Sequence, residues 1–492
     1  MSTKTSLKDQ SIFLVLGNAL IQGTTIVQGM ILARLLTQSD FGSFRQIVMV
    51  TYLFYIVFYL CIAESATYYL ASLNDEEKKK FLFQSLTLYI ALSIIAFAAL
   101  YFLRNVLANS FQNKELSRLF VVAALLPGAQ MIRALTGTSL ITIGKAKLNS
   151  MLGAIMSAIN VIAVTVPLLM GASFWVTLQI YIYIRCFFTL VTVIPLIRLV
   201  GITFKFDWPL LKDQFGFSIP YWISYATYIF YTQIHKVLVS TFFSPADFAL
   251  FSVASTELPV FSKLSSQIAL VLIPVSIQHF KNGSYNAIVS LWEKSTGKIA
   301  LVSMPIFVFL FLTARQFLTV MYGSDYGSAW LIFNIMLLLL PLRICDTNSL
   351  FKITGKTKYV IVSSFAALVT GLASGWALIY PLGLVGPAIG VLIGRVTQII
   401  ITMYYIKKDL PLTYAQAFVF NILWKILGVS VVSFGAAKLL FLPVHLPLIH
   451  LLGVMVVGGV IFLFMSIRFQ LFDEKDRQLI KRWVTLEPLL KS

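Results

Sequence analysis

Seven basic residues stand inside long apolar stretches of this chain: Arg133, Arg185, Lys236, Lys263, Arg343, Arg395 and Lys425. Three acids do so: Glu64, Glu257 and Asp346. An ionisable group at mid-bilayer costs about 2.5–3.5 kcal/mol even on the gentlest insertion scale, so each needs a partner or a wet cavity. Three acids cannot match seven cations, and the surplus leaves a positive interior that a polyanion would neutralise. A lipid diphosphate suits it, because a guanidinium fork grips phosphate oxygens at two points. Arg133 and Arg343 are the foremost candidates for that grip, with Arg185, Arg395, Lys236 and Lys263 behind them. Each has a plainer use. Arg343 and Asp346 share a helix face at i, i+3 and can pair with each other. Arg185 and Arg395 can brace backbone carbonyls, while Lys236, Lys263 and above all Lys425 can snorkel. Glu64, Glu257 and Asp346 either carry a coupling cation, a proton or sodium ion, or act as counter-charges. His235 reads as a packed residue. No nucleophile–base pair and no metal cluster occurs, which argues against an enzyme and against a metal or other cofactor. Cys61, Cys186 and Cys345 lie singly in apolar segments and read as packing residues.

The elements that position these charges follow from composition. Of 492 residues, 59% are hydrophobic and only 12% charged, with mean hydropathy +0.87. A soluble domain carries about a quarter charged residues, so the chain is expected to be an all-α polytopic membrane protein. The net charge of +19 does not indicate nucleic acid, because no basic run is interleaved with exposed aromatics. Apolar runs of about 20 residues, the length that crosses a bilayer, occur fourteen times: 11–36, 43–71, 81–103, 117–142, 148–170, 174–198, 214–242, 246–278, 297–320, 328–352, 358–380, 384–406, 417–440 and 446–468. The stretch 281–298 is expected to lie along the inner surface, and the tail 469–492 to form an amphipathic surface helix. The opening MSTKTSLKDQ shows no removable signal pattern.

Lysines mark alternate loops: Lys78 to Lys80, Lys145 and Lys147, Lys205 and Lys212, Lys281, Lys352 to Lys358, and Lys407 with Lys408. Both ends of the chain are basic as well, and the other loops hold few cations. By the positive-inside rule both termini are then cytoplasmic, which requires an even number of spans.

The chain also repeats itself. IRALTGTSLITIGKAK at 132–147 is rewritten as LRICDTNSLFKITGKTK at 342–358, with Arg133 answering Arg343 and Gly144-Lys145 answering Gly355-Lys356. LLTQSDFGSF at 35–44 is similar to FFSPADFALF at 242–251, and Arg185 pairs with Arg395. A period of domain size predicts two six-span copies facing the same way, related by a pseudo-twofold along the membrane normal, with a cavity between them and spans thirteen and fourteen as an appendage. The expected divisions are a lobe at 1–200, a lobe at 201–410, helices thirteen and fourteen at 411–468 and the tail at 469–492. In that frame Arg343 and Arg133 sit about 18 and 16 Å of helix from the inner turns at Gly355 and Gly144, near the middle of a core about 30 Å thick.

The pattern LARLLTQSDFGSFRQ, the GKAK and GKTK turns and GLVGPAIGVLIGR at 383–395 resemble the multidrug/oligosaccharidyl-lipid/polysaccharide exporter superfamily. Fourteen spans with an excess of buried cations are most similar to its flippases for lipid-linked polysaccharide repeat units. The resemblance implies a transporter in the bacterial inner membrane. It would move an undecaprenyl-diphosphate-linked oligosaccharide, a unit of O-antigen, lipopolysaccharide, capsule or another glycan, from the inner to the outer leaflet by alternating access. Membrane lipid, a coupling cation and the polysaccharide polymerase machinery are the implied partners. Where members often carry Asp before Lys or Arg late in the seventh span, this chain has His235-Lys236. The alternative is a multidrug or small-solute antiporter of the same fold, which should hold acids in its cavity where cations dominate here. A scaffold without transport would have no use for the buried charges.

Overall fold

Capping residues and apolar runs together set the helices of this protein, and the described residues contain no strand. The computed structural model describes residues 7–256, 272–344, 348–356, 358–410, 416 and 419–472. It forms two compact units, Met1–Ser252 and Val253–Ser492. Lys263 and Glu257, Asp346 with Cys345, and nearly all of the expected tail helix lie outside the described residues.

The first unit runs α1 (Leu7–Leu35), α2 (Gln38–Tyr59), α3 (Ile62–Ser72), α4 (Asp75–Ser110), α5 (Glu115–Ala123), α6 (Leu126–Thr142), α7 (Ala146–Leu169), α8 (Phe174–Val200) and α9 (Trp208–Phe242), then enters α10 (Pro245–Ala254). The caps are legible. Asn74 and Glu77 form a reciprocal capping box at α4. Thr37 caps α2 and exchanges hydrogen bonds with Asp40, and Ser244 does the same with Asp247. These two caps come from the matching sequences at 35–44 and 242–251. The helix starts also touch. Gly42 lies so close to the Pro245 carbonyl that a Cβ would run into it, and Arg45 donates to Ser252. α1 packs along α7 through small residues: Gly17 faces Ser150, Gly153 faces Ile21, and Thr24 meets Ser157.

Two expected spans are interrupted. The segment 43–71 breaks at Leu60 and Cys61, both left-handed at φ 44° and 51°. Neither glycine nor proline marks the break. Tertiary contacts hold it: the Tyr89 hydroxyl donates to the Tyr59 carbonyl at 3.0 Å and accepts from the Ala63 N–H at 2.8 Å. Trp222 donates to the Ile56 carbonyl at 2.8 Å. Three of the backbone groups around the break are thereby satisfied. The segment 117–142 divides between α5 and α6, where Pro127 starts the new helix. Packing also ties α9 to this unit, through Gln214, which donates to Ser65 and Ser85. The expected division at residue 200 follows the sequence copies; the compact unit follows packing and extends past α9.

The second unit contains α11 (Tyr285–Leu312), α12 (Ala314–Tyr322), α13 (Trp330–Leu337), α14 (Leu339–Ile344), α15 (Asn348–Ile353), α16 (Lys358–Leu382), α17 (Val385–Ile406), α18 (Phe420–Leu440) and α19 (Pro447–Arg468). The stretch expected along the inner surface at 281–298 is mostly the start of α11, a single 28-residue helix whose Trp292 is buried. α16 and α17 form a close hairpin: a Cβ on Gly390 would stand 2.6 Å from the Gly371 carbonyl oxygen and from the Gly375 Cα.

Among the described residues, twelve helical segments are long and apolar enough to cross a membrane, which makes this a multi-pass membrane protein. They correspond to twelve of the fourteen expected spans. Of the other two, 214–242 falls in the 35-residue α9, which is long enough but too polar to be counted. The segment 246–278 begins as α10 and continues outside the described residues.

Candidate functional site

Arg133 lies on α6 with its guanidinium turned toward α7. Its Nη2 donates to Asn149 Oδ1 at 2.9 Å. Two glycines make the room: a Cβ at Gly137 would stand 2.8 Å from Nη1, and one at Gly153 3.5 Å from Nη2. Arg133 makes no ion pair among the described residues. A guanidinium offers five N–H donors, and a neutral amide oxygen takes one of them, so both charge and donors remain to be met. Neither Asn149 nor Gly153 stands out in the sequence. Gly137 was the available signal, since a glycine one helical turn after an arginine vacates the surface over which that side chain lies.

Arg185 and Arg395, paired by the sequence, are used differently. Arg185 on α8 donates to the Tyr181 hydroxyl one turn earlier on its own helix. Arg395 on α17 is buried; it donates from Nη1 to Gln398 Oε1 at 2.6 Å and from Nη2 to the Leu342 carbonyl at 3.0 Å. Gln398 continues to the Ser364 hydroxyl at 3.3 Å. Arg395 therefore braces the backbone one residue before Arg343, which stands half-buried on α14. Among the described residues, Arg395 and Arg343 are thereby brought into one neighbourhood. The partner expected for Arg343, Asp346, lies outside the described residues.

Lys236 on α9 is half-buried. Its neighbour His235 is buried, with its ring 5.6 Å from that of Phe251, in agreement with a packed role. Lys425 on α18 is exposed. Glu64 sits in the first turn of α3, directly after the break, where the helix N-terminus favours a carboxylate. It accepts from the Tyr59 hydroxyl at 3.2 Å and pairs with no cation among the described residues. Sequence reasoning missed the tyrosines around it: Tyr55 and Tyr59 have ring centroids 4.8 Å apart, and Tyr59 and Tyr225 6.2 Å.

The end turns carry ion pairs. Lys80 meets Asp207 at 3.1 Å and Lys356 meets Asp409 at 2.7 Å. Asp207 caps α9, and the Leu210 backbone N–H, with Lys80 behind it, holds its carboxyl below the usual carboxylate range.

An all-helical, multi-pass architecture of this kind is shared with transporters of the MOP superfamily. It is similar to the structure described as "Lipid II flippase MurJ, inward closed conformation", with a TM-score of 0.73 and 13% identity over 93% of this chain and 99% of that one. It is similar to an inward-facing multidrug resistance MATE family transporter of the MOP superfamily, at TM-score 0.64 and 15% identity over 80% and 99%. A third likeness, at TM-score 0.53 and 16% identity over 80% and 93%, is to a MOP superfamily transporter from Pyrococcus furiosus whose structure is described by a reversed polarity of its binding pocket. No curated protein sequence matches the chain. The family model described as "Polysaccharide biosynthesis protein" matches residues 31–331, and the chain belongs to that family.

Proposed function

We propose that the protein is a flippase that carries a polyprenyl-diphosphate-linked oligosaccharide from the inner to the outer leaflet of a bacterial cytoplasmic membrane. The observation that carries this reading is Arg133: a cation inside a membrane span, with space cleared by Gly137 and Gly153 and, among the described residues, a single neutral acceptor and no ion pair. A diphosphate supplies the charge and the oxygens that this guanidinium lacks. Arg343 is its counterpart in the second copy, held in place by Arg395. Arg185, Lys236 and Lys263 are assigned to substrate binding as well, on their place as cations in apolar stretches of the sequence.

Family membership supports a role in polysaccharide synthesis, and a neighbour described as a lipid II flippase supports a lipid-linked cargo. The working topology has fourteen spans, two parallel six-span copies and both termini in the cytoplasm. Alternating access moves headgroup and sugars past the arginines while the polyprenyl tail stays in lipid. Glu64, Glu257 and Asp346 are assigned to coupling with a proton or sodium gradient or to charge balance.

The test is export. A charge-assisted hydrogen bond is worth about 1.5–3 kcal/mol, about ten- to a hundredfold in affinity. Arg133→Ala and Arg343→Ala each leave the protein in the membrane but cut glycan export, with lipid-linked units accumulating on the cytoplasmic side. Lysine at either site restores it only in part, because the fork is lost. Normal export from the double alanine variant at matched protein level would contradict the proposal.

A further inference from the structure

The first unit holds a cluster that the cation chemistry does not use. Tyr52 and Tyr55 on α2 stack with ring centroids 5.9 Å apart. Tyr52, Tyr55, Trp222 and Tyr225 all pack against the buried Ile56, Ala226 and Ile229, and the rings of Tyr55 and Tyr59 have centroids 4.8 Å apart. Trp222, one turn before Tyr225, donates its indole N–H to the broken helix at Ile56. Tyr52, Tyr55, Trp222 and Tyr225 are all only half-buried.

Their depth is the informative part. Tyr55 stands midway between Gln38, where α2 begins, and Ser72, where α3 ends. Tyr225 stands midway between Trp208 and Phe242, the ends of α9. Tyrosines that anchor a protein in a bilayer sit at the two interfaces, with hydroxyls in the headgroup layer. These stand midway along helices long enough to cross a bilayer, away from both helix ends, and a phenol facing lipid there would waste its hydroxyl. α9 is also the one described helix of 18 or more residues that is too polar to count as a span. Tyr221, Ser224, Tyr225, Tyr228 and Thr232 follow one another at helical spacing along it, with Tyr221 and Tyr228 exposed. That stripe suits a wet passage rather than acyl chains.

Resting on the flippase reading above, we propose that Tyr52, Tyr55, Trp222 and Tyr225 form the subsite that receives a pyranose ring of the glycan while the arginines hold the diphosphate. A pyranose presents a face of C–H bonds and a rim of hydroxyls. The negative face of an aromatic ring attracts the C–H face, and phenol hydroxyls can donate to and accept from the rim. The four side chains of the cluster carry no positive charge, and their chemistry suits neutral sugar rather than phosphate. Sugar selectivity then lies on α2 and α9, apart from the charge-binding residues.

Binding to the full-length protein in lipid nanodiscs tests this with two probes. One is undecaprenyl diphosphate without sugar. The other is the lipid-linked glycan pool extracted from cells that lack the transporter. The wild-type protein binds the glycosylated probe at least about tenfold more tightly than the bare one. Tyr55→Ala and Tyr225→Ala each remove about three- to tenfold of that margin, the scale of one aromatic contact, and leave bare-lipid affinity unchanged. Tyr55→Phe keeps most of the margin. Tyr225→Leu replaces alanine if the smaller side chain unfolds the protein. A margin that survives the double variant overturns the proposal, as does equal loss of both probes, which makes the cluster plain packing. No margin in the wild type overturns it while leaving the diphosphate reading intact. Failure of the wild type to bind either probe removes both.

Discussion

Two stretches with matching sequences, α6 and the α14–α15 region, leave the membrane by the same turn and differ above it. At each exit the glycine is left-handed, Gly144 at φ 75° and Gly355 at φ 72°. The hydrogen bonds are the same too: Lys145 N–H to the Leu140 carbonyl and Gly144 N–H to Ile141 in one, Lys356 N–H to Phe351 and Gly355 N–H to Lys352 in the other. Both are Schellman endings. Above the turn, α6 runs unbroken from Leu126 to Thr142, so Arg133 projects from a regular helix and is housed by glycines of α6 and α7. Arg343 instead lies on α14 beside Leu342, whose carbonyl accepts from Arg395 reaching across from α17. The difference shows one cation motif positioned in two ways, by cleared space in the first unit and by a buried strut in the second.

The largest effect expected from breaking that comparison is at the strut. Arg395→Met leaves the Leu342 carbonyl and the Gln398 amide oxygen without their donor, at a cost of about 3 kcal/mol for two buried acceptors. Arg185→Met removes a bond within one helix and costs about 1 kcal/mol or less. Thermal unfolding of the purified variants in one detergent measures both; equal losses would mean that Arg395 is no more structural than Arg185.

The shared turn gives a sharper and smaller test. Gly144→Ala and Gly355→Ala each force a side chain into the left-handed region, at about 1 kcal/mol. The two variants should lose the same unfolding temperature within error. A large asymmetry would show that the turns carry different loads despite one geometry.

The smallest effect concerns a cap with no counterpart in the comparison. Asp207 has a carboxyl pKa held below its unfolded value of about 3.9. Its contribution is present above that value and is lost as pH falls through the lower, folded one. Unfolding temperature should therefore drop more steeply below about pH 4 in the wild type than in Asp207→Asn, which keeps a capping oxygen but does not titrate.

These results also mark how far sequence reaches. Helix ends were legible where the chain supplies local chemistry: Thr37 with Asp40, Ser244 with Asp247, and the glycines at 144 and 355. The cations were legible because an apolar run makes a charge conspicuous. The break at Leu60–Cys61 was not, since no local residue demands it and its supports, Tyr89 and Trp222, are distant in the chain. Bracing of a backbone carbonyl was among the uses expected for Arg395, but its partner at Leu342 was not legible, because a carbonyl acceptor leaves no residue type in the sequence to find. α9 was read as an ordinary span, although its tyrosines and polar residues already set it apart in composition.

The central claim is that Arg133 is an unmatched cation awaiting a diphosphate. Equilibrium binding of undecaprenyl diphosphate to wild type, Arg133→Ala and Gly137→Val tests it most directly. The valine fills the space beside Nη1 and displaces the guanidinium without removing its charge. The account predicts a loss of about tenfold or more for Arg133→Ala and a clear loss for Gly137→Val, with both proteins folded. Wild-type affinity in both variants would contradict it.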